Sequence, residues 1–141
     1  MAKHPIRLLS KEQSEQLHKL AERARASLSD FSGVEVGYDV IGLQMLDEWI
    51  DRHMRQFPTP TKEMATIWGA FLGEVFIERM NGAWAVAHTQ GKSRLGVLCP
   101  RERRGMLFVD VMEQVRRRIR KGMEASLAFF YTTKAIEIKG G

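Results

Sequence analysis

The segment from Pro60 to Met80 admits few folds. Met64, Ile67, Trp68, Phe71, Leu72, Val75 and Phe76 recur at the spacing of one helical face. At about 100° per residue, Gly69, Gly73, Ile77 and Met80 widen that face. They leave only a narrow stripe of Glu63, Ala70, Glu74, Glu78 and Asn81. A helix this apolar has to be covered on almost every side, so the spacing predicts the central helix of a domain, with the rest of the chain as its cover. Gly69 and Gly73 each cost about 1 kcal/mol of helix propensity relative to alanine. Close approach of a neighbouring backbone is the expected compensation. Glu74 then sits on the one stripe that reaches water, hydrogen-bonded or paired with an arginine of a later helix.

The cover is legible on both sides of this helix. Ser10, with Gln13 three residues on, forms a capping box, and Leu17, Leu20, Ala21, Ala24 and Leu28 follow as one helical stripe. Asp39 is the expected N-cap of a second helix, with Leu43, Leu46, Trp49, Ile50 and Phe57 inward. Pro58 ends it, and Thr59-Pro60 reads as the N-cap and first residue of the central helix. That short link predicts an antiparallel helix hairpin. After Asn81-Gly82, two runs around "QGK", residues 83–89 and 93–99, read as a β-hairpin. Pairing Thr89 with Arg94 puts Trp84, Val86 and His88 on the face of Leu95, Val97 and Cys99. "RERRG" is a charged loop. Phe108, Val111, Met112, Val115 and Ile119 predict a fourth helix closed by Gly122, with a short apolar segment after it. The alternation in "KAIEIK" predicts a C-terminal edge strand over 134–139. The expected fold is α+β: N-terminal helices including a helix hairpin, then a small antiparallel sheet with one or two C-terminal helices. Its 141 residues form one domain, with residues 1–9 and 139–141 as flexible ends.

Composition narrows the function classes. No apolar run approaches the roughly 20 residues that span a bilayer, and "MAKHPIRLLSKEQ" lacks the apolar core of a signal peptide, so a soluble cytoplasmic protein is expected. The single cysteine, Cys99, excludes an internal disulfide and a cysteine-based zinc site. Between Arg101 and Lys121 lie eight Lys/Arg residues against three acids, an excess equal to the whole net charge of +5. The basicity is therefore local.

Several of these stretches together resemble a widespread group of small bacterial domains of unknown function. They are "GYDVIGLQMLDEWIDRH", "IWGAFLGEVFIERMNGAW", "GVLCP" and "FVDVMEQVRRRIRKGMEASLAFFY". The group shows a Leu-Asp-x-aromatic-Ile helix, a Gly-Ala-aromatic-Leu-Gly-Glu helix and a Gly-x-Trp strand. The likeness spans roughly residues 36–132. It implies the architecture and assigns no catalytic residue.

Four arrangements invite chemistry. Glu63, Glu74 and Glu78 form an acidic stripe that suits a metal-dependent hydrolase. A solvated helix edge explains them better, because no histidine shares the stripe. Cys99 and His88 share a hairpin face, but the register separates them by more than the ~3 Å a thiol–imidazole dyad needs. Trp49, Trp68 and Trp84 fall near the junction of helices and hairpin, where a pocket is possible. Arg101, Arg103 and Arg104 with Arg116, Arg117, Arg120 and Lys121 form a candidate partner-binding face, with the stem of Arg118 snorkelling along the core edge. Cations in a last turn also complement the helix dipole. Without flanking aromatics to stack bases, an acidic protein suits that face better than nucleic acid. The sequence thus predicts a non-enzymatic protein-interaction module using a basic face, with no catalytic residue, cofactor or metal. Glu74 is the one candidate functional carboxylate. The alternatives are an immunity-type protein that neutralises a toxin, a nucleic-acid accessory protein, and the hydrolase.

Overall fold

A computed structural model describes residues 5–140. Residues 1–4 and 141, within the expected flexible ends, lie outside the described residues. The order is β1 (Ile6–Leu8), α1 (Lys11–Ser32), α2 (Val40–Gln56), α3 (Lys62–Met80), β2 (Ala83–Thr89), β3 (Lys92–Pro100), β4 (Met106–Val109), α4 (Val111–Lys121), a 3-10 turn (Gly122–Ala125) and α5 (Leu127–Gly140). The fold is α+β, with N-terminal helices, an antiparallel sheet ordered β1-β2-β3-β4, and C-terminal helices. No helix among the described residues is long and apolar enough to cross a membrane.

α3 is the central helix. Every residue from Ile67 to Phe76 is buried. Its cover comes from α1, α4, α5 and the sheet. The short proline-containing link joins α2 to α3 as expected, yet α2 packs more on α5 than on α3. Gly69 and Gly73 do mark close approach, but to side chains rather than to a backbone. A Cβ on Gly69 would lie 2.3 Å from Met112 Sδ of α4, and one on Gly73 would lie 2.1 Å from Cη2 of Trp84 on β2.

Local signals set most boundaries. Ser10 and Gln13 form the reciprocal capping box at 3.1 Å in both directions. Asp39 caps α2 through the Gly42 amide at 2.8 Å. The cap of α3 is Thr61, whose hydroxyl accepts from the Met64 amide, and not Thr59. The β2–β3 turn is Gln90-Gly91, both at positive φ, as a two-residue hairpin of matching twist requires. The observed register pairs Thr89 with Lys92 and Trp84 with Val97. It is two residues tighter than expected, and the two-residue period of a strand keeps the same side chains on the same face.

Three segments depart from the expected reading. Residues 6–8, assigned to a flexible end, pair with Ala85, Val86 and Ala87 as an edge strand. Phe108 belongs to β4, which pairs with β3 through Leu98 and Val97. α4 starts only after Asp110, whose carboxylate accepts from the Glu113 amide. The expected C-terminal strand over 134–139 is the second half of α5.

α5 begins where it does because of a residue eighty positions away. Asp47 of α2 is 2% exposed. Its Oδ1 accepts from the Leu127 amide at 3.0 Å and its Oδ2 from the Ala128 amide at 3.1 Å. These are otherwise unpaired donors of a helix N-terminus. The Ser126 hydroxyl donates to Oδ2 at 2.8 Å, and Nε of the wholly buried Arg118 donates to Oδ1 at 2.8 Å. Arg118 Nη2 also reaches the Asp47 carbonyl at 3.0 Å and Asp51 Oδ1 at 2.7 Å. Replacing Asp47 with Ala leaves a buried guanidinium and two helix amides without their main partner, so the expected cost is about 3–5 kcal/mol. Asp51→Asn, at a half-exposed position, is expected to cost clearly less. Urea unfolding of the two variants measures the difference, and equal midpoints would refute the assignment.

Candidate functional site

The arginine run on α4 divides between core and surface. Val111, Gln114, Val115 and Arg118 are buried, so Arg118 does not snorkel at the edge. The carboxylates of Asp47 and Asp51, one turn apart on α2, draw it fully inside. Arg116, Arg117, Arg120 and Lys121 are exposed. Glu113 accepts from Arg116 Nε at 3.0 Å and lies 3.7 Å from Arg120 Nη2. Arg117 and Lys121 have no acidic partner within 4.0 Å among the described residues. In the β3–β4 loop Arg103 and Arg104 are exposed and Arg101 is half-buried. The loop's Glu102 amide donates to the Ile138 carbonyl of α5 at 3.0 Å. The loop is thus anchored on the last turns of α5, and the two arginine clusters sit on separate supports.

Glu74 is 5% exposed and is not on a wet stripe. It pairs with no arginine of α4. The Trp84 indole Nε1–H donates to its Oε2 at 3.0 Å, and His18 Nδ1 of α1 lies 3.1 Å from its Oε1. The wheel fails here because α1 and β2 close over both flanks of the stripe, and each supplies a polar group to the carboxylate. The His18 side chain is 54% exposed. Beside it the Tyr38 hydroxyl donates to Glu22 Oε2 at 2.5 Å, and Arg25 donates to both Glu22 oxygens at 2.9–3.2 Å. The Arg25 guanidinium first, and the Tyr38 hydroxyl second, hold the Glu22 carboxyl down at about 2. Burial and the hydrogen bond to Glu22 push Tyr38 well above the ordinary phenol range. His18, Glu22, Arg25 and Tyr38 were not singled out from the sequence. The one available signal was the spacing of His18, Glu22 and Arg25 on a single flank of α1.

The remaining candidates separate. Glu63 and Glu78 are exposed whereas Glu74 is buried, and Glu63 and Glu74 are about 16 Å apart along the helix axis at 1.5 Å per residue. No group of three metal-binding side chains converges among the described residues. Cys99 pairs with Leu107 of β4 and His88 with Ser93, so the two do not form a dyad. His88 Nδ1 instead sits 3.0 Å from the Ser93 hydroxyl, and burial pushes the Cys99 thiol up to about 12. Trp49 and Trp68 line one cavity between α1, α2 and α3, whereas Trp84 is committed to Gly73 and Glu74.

No family model, curated protein or solved structure matches this chain.

Two outcomes test the Glu74 cluster. Gly73→Ala drives a methyl into the Trp84 ring, so the ring must shift and its bond to Glu74 must loosen. The expected loss is about 1–3 kcal/mol, with a moved Trp84 indole N–H resonance as the local signature. Glu22 is held below its ordinary value of 4.5 in the folded protein. Its contribution to stability is therefore complete above pH 4.5 and is lost as pH falls from there towards 2. Glu22→Gln should flatten the acid limb of a stability–pH curve within that window, and an unchanged slope would contradict the pairing.

Proposed function

We propose that the protein is a non-enzymatic, cytoplasmic interaction module that binds an acidic protein across the surface joining the end of α4 to α5. The observation that carries this reading is Phe129, which is 70% exposed in the first turn of α5. Its neighbours supply the rest of an interface. Met123 is 54% exposed in the turn that follows Lys121, and Met123 and Phe129 line one shallow groove with Val40 and Gln44 of α2. Ile136, 69% exposed, continues the apolar row two turns further along α5. Aromatic, Met and Arg side chains are the types enriched in protein–protein contacts. Arg117, Arg120 and Lys121 precede this apolar row in the chain and provide a cationic border suited to carboxylates. The motif likeness to small bacterial domains agrees with a module of this size.

Affinity capture from the source cell, with native protein beside Phe129→Glu and Arg117→Glu/Arg120→Glu variants, tests it. The expected result is an acidic protein retained by the native chain and lost, by at least about tenfold in Kd, with either variant. Equal retention by all three would refute the surface. Recovery of nucleic acid with steep salt sensitivity would keep the cations and overturn the choice of partner.

A further inference from the structure

A cavity of about 110 Å³ lies where α1, α2 and α3 meet. Leu28, Leu46 and Trp68, each 1% exposed, form its inner lining, and Trp49 is half-buried on its side. Arg23 and Ser27 are exposed at its outer edge. Protein interiors are normally close-packed, with few voids larger than a water molecule. Here the void faces Ala24 and Ser27, two small side chains three residues apart on α1 where larger ones would fill it. Its inner wall is apolar while its mouth meets solvent, and an apolar cavity of about 150 Å³, somewhat larger than this one, accepts a whole benzene ring. The opening is not apolar: Arg23 makes no ion pair among the described residues, because the salt bridges of α1 belong to His18 and Arg25.

We infer that this cavity is a binding site for a small apolar monocarboxylate, with a single ring or a short branched chain against Trp49 and Trp68 and its carboxylate on the Arg23 guanidinium. Each element of the site selects for part of that ligand. The volume limits the apolar part to one ring at most. The indoles offer flat, polarisable walls. A guanidinium presents paired donors to a carboxylate. A dicarboxylate would have to bury its second charge among Leu28, Leu46 and Trp68 with no partner, which excludes it. The site lies between α1, α2 and α3 and uses no residue of the proposed α4–α5 surface, so the two stand independently.

Titration with benzoate and with isovalerate, read by tryptophan emission and by the urea midpoint, tests the inference on the intact chain. Saturable binding in the millimolar range or tighter is expected for at least one of them, with a raised midpoint. Arg23→Gln should weaken benzoate about tenfold and leave uncharged benzyl alcohol unchanged. Ala24→Leu should fill the void and abolish binding of both. Should that variant fail to fold, Ser27→Trp closes the mouth from the exposed side and should abolish binding equally. Failure of both acids to bind saturably overturns the site, as does unchanged affinity, in Arg23→Gln or in Ser27→Trp, of whichever acid binds.

Discussion

One carboxylate, that of Asp47, joins three helices. Each of its oxygens accepts twice: Oδ1 from Arg118 Nε and the Leu127 amide, Oδ2 from the Ser126 hydroxyl and the Ala128 amide. A buried carboxylate is costly unless its acceptor capacity is filled, and here the four donors come from α4, from the start of α5 and from the residue before it. The negative charge also sits where the N-terminal end of the α5 dipole favours it. Arg118 brings the compensating charge, and its Nη1 is left without a partner. The position of α5, and with it the groove and the anchor of the arginine loop, follows from this cluster.

α3 meets the opposite demand. It is buried along most of its length and carries a single buried charge, Glu74, held by one donor from α1 and one from β2. The glycines are part of that arrangement. Trp84 can deliver its Nε1–H only by laying its ring over Gly73, where any Cβ would collide with it. The helix-weakening Gly73 and the carboxylate of Glu74, adjacent in the chain, are therefore one device. Glycine opens the space, tryptophan fills it, and glutamate receives the indole proton. His18 is a titratable group beside this carboxylate, but a general base also needs an adjoining cleft, and the cavities described above are lined by other residues.

Elements whose signals are local were legible in the sequence. The capping box of α1, the Asp39 cap of α2, the apolar run of α3 and the hairpin turn each lie within a few residues of what they specify. Segments fixed by distant partners were not. Ile6–Leu8 is too short to show a period, and it becomes a strand only because the edge of β2 is free to receive it. Met106–Val109 was absorbed into the next helix because Phe108, Val111, Met112 and Val115 happen to fit a helical spacing. In "KAIEIK" the alternation is genuine, but Ile138 is buried and Ile136 exposed on the two sides of a helix. The decision between strand and helix there is made by the Asp47 cap at the far end of α5. For the site, the wheel put Glu74 on a stripe that reaches water, and Glu74 is buried because α1 and β2, which the wheel cannot see, close over it.

The run "RRRIR" shows how a partner, not a pattern, divides like residues. Arg117 and Arg118 are adjacent and chemically identical. Arg118 is wholly buried because two carboxylates one turn apart on α2 face it, and Arg117 points about 100° away, where the described residues offer no acid. Charge balance inside the protein thus consumes one arginine and, through Glu113, partly neutralises Arg116 and Arg120. What remains on the surface is smaller than the count of cations suggests. It gains its directional character from position, since the run leads straight into Met123 and Phe129, apolar side chains that the fold leaves facing outward. A cluster of charge alone would be an ordinary solvated face. Charge beside uncovered apolar side chains is the composition on which the proposed interaction surface rests.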